Sequence, residues 1–209
     1  FAVGGVRHDI AVSGRHRGDL QRLARDLEAV CRWQAELFDG AEGASPPFKR
    51  YLFQIAAVGD GYGGLEHRSS TSLLCARDDL PQPGATAPTD DYRRLLGLAS
   101  HEYFHSWHVK RIKPAAFVPY ALSREAYTRQ LWVFEGFTSY YDDLALRRSG
   151  VIDTHSYLEL LGRTITSVLR SRLATRIDRH SRLNSSITLS IRYFLPSWVR
   201  CSTKSYDHT

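Results

Sequence analysis

The chain has 209 residues, of which 43% are hydrophobic and 24% are charged, and these values are typical of a soluble globular domain that can bury a real core. No apolar run approaches about 18 residues, which excludes a transmembrane helix and argues against a membrane partner. The formal net charge is +6, but the basic residues are spread out and lack interleaved aromatic side chains, so we expect no nucleic-acid partner.

The composition also bears on processing and redox state. The chain begins at Phe1 and contains no methionine, so we expect a fragment of a longer product. Nothing near its start resembles a signal peptide, which slightly favours a cytoplasmic location. The three cysteines, Cys31, Cys75 and Cys201, are odd in number and far apart, and we expect thiols rather than a disulfide framework.

Hydrophobic periodicity predicts a small sheet early in the chain and helices later. Residues 59–64 contain four glycines, which indicates a turn or a closely approached backbone. Strands before helices favour an α+β fold. The predicted strands are 8–13, 50–58 and 70–76, and the predicted helices are 19–38, a helix from Thr89 or Asp90 to about 108, one over about 124–148, and one over about 154–170.

The motif with the clearest chemistry is H-E-x-x-H, formed by His101, Glu102 and His105 inside a predicted helix. Residues four apart lie about 40° apart around a helix and about 6 Å along it, so both imidazoles leave one face and can bind one cation. Glu102 lies one step round the helix, where it can accept a proton from a metal-bound water. The motif therefore predicts a metal site with Glu102 as the general base.

A catalytic zinc site needs a third protein ligand and one open position. His108 is close in sequence, but on a continuous helix it would lie about 10 Å along the axis from His101 and converge poorly with it. Glu135 lies in an apolar, aromatic stretch of the next predicted helix, where a buried carboxylate is costly unless it is paired or bound to a metal. We favour Glu135, and Asp142, two turns further along, could orient a ligand histidine.

Three linked blocks resemble the glycyl aminopeptidase family, gluzincin-type zinc metallopeptidases with a thermolysin-like catalytic domain. The blocks are residues 60–68, 101–112 and 131–144. The resemblance implies one Zn²⁺ per chain, held by His101, His105 and Glu135, with Glu102 as the base.

The glycine-rich block also has a counterpart in that family. The resemblance implies that Gly63, Gly64 and Glu66 form the exopeptidase motif, in which Glu66 binds the free amino group of a peptide substrate. It also implies a preference for N-terminal glycine or alanine. Without the resemblance, Gly63 and Gly64 read as a plain turn.

The chain departs from the family pattern in two places. Position 108 is histidine where the family has asparagine. The tail after about residue 171 does not match, and neither Tyr193 nor Tyr206 lies in the context of the family's oxyanion-stabilising tyrosine. We therefore divide the chain into a catalytic domain, 1–170, and an atypical tail, 171–209, which is out of frame or poorly ordered. Two alternatives stay open: a metal-binding but inactive module, and a zinc endopeptidase.

Overall fold

The computed structural model describes residues 1–119, 123 and 127–177, the side chains of 171–177 excepted. It confirms a mixed α/β architecture with a small sheet and four helices. The strands are β1 (Ala2–Val3), β2 (Val6–Ser13), β3 (Arg50–Val58), β4 (Gly63–Glu66) and β5 (Ser70–Ala76), and the helices are α1 (Leu20–Asp39), α2 (Asp90–Phe104), α3 (Leu131–Arg148) and α4 (Thr154–Ile177).

The five strands form one sheet in the order β1-β2-β3-β5-β4. β2, β3 and β5 run parallel, whereas β1 and β4 pair antiparallel at the two edges. The parallel pairing of β2 with β3 follows from α1, which connects them, since parallel neighbours need a crossover. The helix predicted over 19–38 forms this crossover between two strands, so the chain is only partly divided into strands first and helices later.

Local sequence explains the best-defined elements. Alternate residues of β3, among them Phe53 and Ile55, are buried, as expected for a strand that packs one face on a core. Asp19 caps α1 by accepting a hydrogen bond from the backbone N–H of Arg22 at 3.0 Å. Gly40 ends α1 in the left-handed conformation, with φ of 73°. Buried side chains recur along α1 at Leu23, Leu27, Val30, Cys31, Gln34 and Ala35.

Helix α2 forms the centre of the core. Thr89 caps its start as predicted, and every residue from Leu95 to Phe104 is buried. Tyr103 anchors the helix to the sheet, since its hydroxyl lies 2.9 Å from Nε2 of His8 on β2, and its ring lies edge-on to Tyr51 on β3. The H-E-x-x-H motif is therefore built on a helix that is fixed on all sides.

Three helix boundaries differ from the sequence prediction, and one of them is the end of α4, which runs to Ile177 rather than to about residue 170. Helix α2 ends at Phe104 rather than near residue 108, because the i→i−3 hydrogen bonds of Ser106 and Trp107 tighten the last turn. Helix α3 begins at Leu131 rather than near 124; residues 124–126 lie outside the described part. It ends as predicted, with Gly150 at φ of 80° just beyond.

The fold divides along the chain into two compact units. The first, Phe1–Glu159, contains the sheet, α1 to α3 and the start of α4, and the second begins at Leu160. The predicted boundary at 170/171 falls within α4 and stays a prediction, and Tyr193, Tyr206 and Cys201 lie outside the described residues. Within the described part, no helix combines the length and apolarity needed to cross a membrane.

Candidate metal centre and substrate-binding edge

Two helices bring three ligand-type side chains together. His101 lies in the last turn of α2, His105 is the C-cap residue that follows Phe104, and Glu135 lies in the second turn of α3. The Nε2 atoms of the two histidines are 3.1 Å apart, and Oε2 of Glu135 lies 3.4 Å from Nε2 of His101 and 3.6 Å from that of His105. All three ligand atoms lie within 4.8 Å of one another, an arrangement that could hold a metal ion.

Hydrogen bonds at the far ring nitrogens orient both imidazoles. Nδ1 of His101 lies 3.0 Å from Oδ2 of Asp142, and Nδ1 of His105 lies 2.9 Å from the backbone carbonyl of His108. Because a carboxylate and a carbonyl can only accept, each Nδ1 must carry the proton. Each Nε2 is then left to face Glu135 as a potential ligand atom.

A buried polar network holds the two helices in register at this point. Oγ of Ser100 donates to the backbone carbonyl of Asp142 at 2.8 Å, and Nε2 of Gln34 on α1 donates to Oγ of Ser100 at the same distance. The network therefore fixes Asp142 opposite His101. Sequence analysis gave Gln34 no role; the polarity of this residue among the apolar buried residues of α1 was the signal that could have revealed the network.

The electrostatics of the three residues reflect their proximity. Burial opposes charge on His101, but the hydrogen bonds that it donates to the carboxylates of Asp142 and Glu135 outweigh this effect and raise its pKa to about 10. Burial likewise opposes charge on Glu135, yet its hydrogen bonds to the two histidines lower its pKa overall. The site thus keeps Glu135 anionic beside positively charged histidines. A bound cation would stabilise the same anionic carboxylate.

Glu102 lies between α2 and the edge strand β4. A Cβ placed on Gly64 would come within 2.6 Å of both Cγ and Cδ of Glu102, so the glycine leaves room for this carboxylate. Burial raises the pKa of Glu102 to about 7 against the lowering effect of His101 and His105. Its Oε2 is buried and has no hydrogen-bond partner in the part of the chain that the structure describes.

Of the two alternatives predicted for the glycine-rich segment, a turn or a closely approached backbone, Gly64 fits the second, because Gly63 and Gly64 begin β4 and Gly64 lies against Glu102. Glu66 ends this strand, where Nζ of Lys110 donates to its Oε1 at 2.9 Å. Sequence analysis gave Lys110 no role. No periodicity or spacing could have found it, because the two residues are 44 positions apart.

Two expectations about individual residues need correction. His108 lies beyond the end of α2, so the argument from its position along the helix does not apply. Its ring stacks on Phe134 and its Nδ1 lies 3.4 Å from Oγ1 of Thr138, outside the three-residue group. The side chain of Glu135 is 40% exposed and so only partly buried. Its distance to the two histidines therefore supports it as a ligand better than the cost of burying a carboxylate does.

A comparison of the sequence with known protein families identifies the family of the chain. The sequence model described as M61 glycyl aminopeptidase matches residues 94–206, more than half of the chain. The chain belongs to the M61 glycyl aminopeptidase family. The matched segment contains His101, Glu102, His105, Lys110 and Glu135. It also extends to residue 206 and so includes most of the tail that had been expected to depart from the family pattern.

Two relatives of the M61 chain extend the comparison. The chain is 34% identical over 133 residues to Aminopeptidase N of Caulobacter vibrioides. The aligned region covers 60% of the chain and 13% of that protein. The chain also resembles the crystal structure of an aminopeptidase N family protein from Idiomarina loihiensis, with 48% identity and a TM-score of 0.73 over 78% of the chain and 27% of the solved one. The M61 chain therefore spans a small part of each relative's length.

Proposed function

We propose that the chain is the catalytic core of a zinc-dependent aminopeptidase that removes small N-terminal residues, such as glycine or alanine, from peptides. One observation carries the proposal: ligand atoms of His101, His105 and Glu135 lie within 4.8 Å of one another. The buried carboxylate of Glu102 lies beside them on α2. Membership of a glycyl aminopeptidase family supports the reaction and the substrate class.

The spacing of the ligand atoms supports zinc as the metal. Atoms that bind a tetrahedral zinc ion at about 2.0–2.2 Å lie about 3.3–3.6 Å from one another. The three distances here are 3.1, 3.4 and 3.6 Å. Two nitrogens and one oxygen are also a donor set that zinc accepts in catalytic sites. When bound, zinc would polarise the scissile carbonyl and lower the pKa of the attacking water.

Glu102 would carry the proton transfers. Its carboxylate would accept a proton from the attacking water and then deliver it to the nitrogen of the leaving amine. A general base works best when its pKa is near the working pH, and burial raises the pKa of Glu102 to about 7. Oε2 of this carboxylate, which has no hydrogen-bond partner among the described residues, supports this role because it remains able to accept the water proton.

The edge strand supports an exopeptidase mode. Among the described strands, β4 lies at one end of the sheet order, so an extended peptide could pair with its outer side. Gly64 and Glu66 are alternate residues of β4 and point to the same face, which is the face that Glu102 contacts at Gly64. Glu66 would hold the substrate ammonium and so limit cleavage to the first peptide bond.

Metal analysis combined with a peptidase assay tests the proposal. We expect about one zinc per chain, hydrolysis of glycyl and alanyl substrates, and no hydrolysis of the same substrates after N-acetylation. Zinc binding without hydrolysis would instead identify an inactive metal-binding module. Equal cleavage of the acetylated substrates would point to an endopeptidase.

A further inference from the structure

A lysine on the turn after the H-E-x-x-H helix contacts the carboxylate at the end of β4. Nζ of Lys110 donates to Oε1 of Glu66 at 2.9 Å, and the two side chains are only 22% and 25% exposed. Charge-assisted hydrogen bonds are shorter and stronger than neutral ones, and partial burial protects this pair from solvent screening. The contact is therefore suited to fix where the Glu66 carboxylate lies.

The turn that carries Lys110 is the one that orients a metal-ligand candidate. Its His108 carbonyl accepts from Nδ1 of His105, and the backbone N–H of Lys110 returns to the carbonyl of His105 at 3.0 Å. Val109 between them has φ of 153°, a conformation that is unusual for a β-branched residue and that persists only where the surroundings enforce it. One short turn thus connects His105 to Glu66.

Arg111 supplies part of that enforcement. Its guanidinium donates to three backbone carbonyls, those of Ser106, Arg68 and Pro47, and so ties the turn to the β4–β5 connection and to the loop before β3. The position of Lys110 is therefore defined by its own turn and by two neighbouring segments. A lysine held in this way constrains its partner more than a freely rotating surface lysine would.

The contact also leaves Glu66 able to bind a second cation. A carboxylate offers about four acceptor sites on its two oxygens, and Lys110 contacts Oε1. Glu66 and Gly64 are alternate residues of β4 that point to one face of the strand, and on that face Gly64 lies against the Glu102 side chain. An ammonium held at Glu66 would accordingly lie close to the reacting centre.

We propose that Lys110 is a positioning residue for substrate recognition: it holds the Glu66 carboxylate on the face of β4 toward Glu102, in the orientation that receives the substrate ammonium. This inference rests on the proposed aminopeptidase function. It assigns Lys110 to binding rather than to the chemical step, so its loss should change KM and leave kcat almost unaltered.

The test compares steady-state kinetics of the zinc-loaded, intact protein and its variants on an alanyl substrate. We expect Lys110→Met to raise KM about threefold to tenfold with kcat within about twofold, and Lys110→Arg to restore most of the loss. Arg68→Met is the matched control, because it removes an exposed positive charge two residues from Glu66 without removing the contact. In a Glu66→Gln background, Lys110→Met should have no further effect on KM.

Each other outcome overturns the inference. An unchanged KM in Lys110→Met, an equal rise in Arg68→Met, or the same rise in the Glu66→Gln background would remove Lys110 from the positioning role. A fall in KM would mean that Lys110 competes with the substrate for Glu66. A zinc-loaded wild type without aminopeptidase activity would overturn the proposed function and this inference together, whereas an active wild type with an unchanged variant overturns this inference alone.

Discussion

Oδ2 of Asp142 lies 3.0 Å from Nδ1 of His101, across the packed faces of α3 and α2. Oδ1 of the same carboxylate accepts from the backbone N–H of Asp143 at 2.6 Å, so both oxygens are engaged. Asp142 therefore acts as an acceptor on each side. It fixes the His101 ring with Nε2 toward His105 and Glu135.

We expect Asp142→Asn to weaken zinc binding by about 10- to 100-fold. If the asparagine oxygen keeps the bond to Asp143, its amide NH₂ meets the Nδ1–H of His101, and two donors face each other. Competition with a chelator of known affinity measures the loss. Asp78→Asn, which alters an exposed aspartate elsewhere, should bind zinc like the wild type; equal affinity in both variants would remove Asp142 from the site.

Glu102→Gln should retain zinc and lose activity by about 10² to 10⁴-fold in kcat, because glutamine keeps the size of the side chain but cannot accept a proton. Zinc content and kcat on an alanyl substrate are measured on the same preparation. Full turnover in this variant would exclude Glu102 as the base. Loss of zinc would instead show that its charge is needed to hold the ion.

The choice of third ligand is tested by a pair of variants. Glu135→Ala should lose the metal, since Glu135 supplies the oxygen nearest both Nε2 atoms. His108→Ala should retain zinc, because the His108 ring packs on Phe134 and only its backbone carbonyl orients His105. Metal analysis after dialysis decides between them, and the reverse result would make His108 the ligand.

The sequence predicted the parts of this site that depend on local spacing. His101 and His105 converge because four residues nearly complete a helical turn. The long α1 and the alternating β3 were likewise predicted almost to the residue, since their periodicity and caps lie within the elements themselves. Asp142 was predicted as an orienting residue from its place two turns beyond Glu135, and the contact with His101 is present.

Features that depend on contacts between distant segments were not predictable in this way. Local propensity could not predict the end of α2 at Phe104, because the turn beyond it is held by Arg111, which reaches backbone carbonyls near Arg68 and Pro47. Likewise Gly64 reads as a turn residue until β4 is paired with β5. The Lys110–Glu66 contact joins two such segments, and no local pattern records it.

Gly64→Ala should reduce kcat while zinc is retained. The added methyl would overlap the Glu102 side chain, with 2.6 Å to its Cγ and Cδ, and so displace the carboxylate that is proposed to move the proton. A shift of about 1 Å in a catalytic group can cost about 10²-fold. Gly162→Ala is the matched control, because a Cβ there meets no atom within 4 Å. Normal kcat in Gly64→Ala would show that Glu102 does not depend on this glycine.

The metal-free protein should lose stability as the pH rises from about 6 to about 8, by about 1–3 kcal/mol in the free energy of unfolding. Burial raises the pKa of Glu102 to about 7, and burial with the neighbouring Asp142 charge raises that of Asp143 to about 7. Burial opposes charge on His101, but its hydrogen bonds to the accepting carboxylates of Asp142 and Glu135 raise its pKa to about 10. In each case the folded state binds more protons than the unfolded chain, and that stabilisation is lost as the pH rises through the folded pKa.

The buried His8 and the half-buried His108 act in the opposite direction over the same interval. Burial lowers the pKa of His8 and of His108, so their contribution grows as the pH rises to the unfolded value, and it is complete above about pH 7. Urea unfolding in the presence of a chelator measures the sum, and Glu102→Gln should show a shallower decline than the wild type. With zinc added, the decline should diminish or reverse, because imidazole and carboxylate ligands bind the ion only after they lose their protons. The expected decline has one cause: a cluster of carboxylates and imidazoles retains its protons until a cation replaces them. A metal-free protein that gains stability toward pH 8 would contradict this explanation.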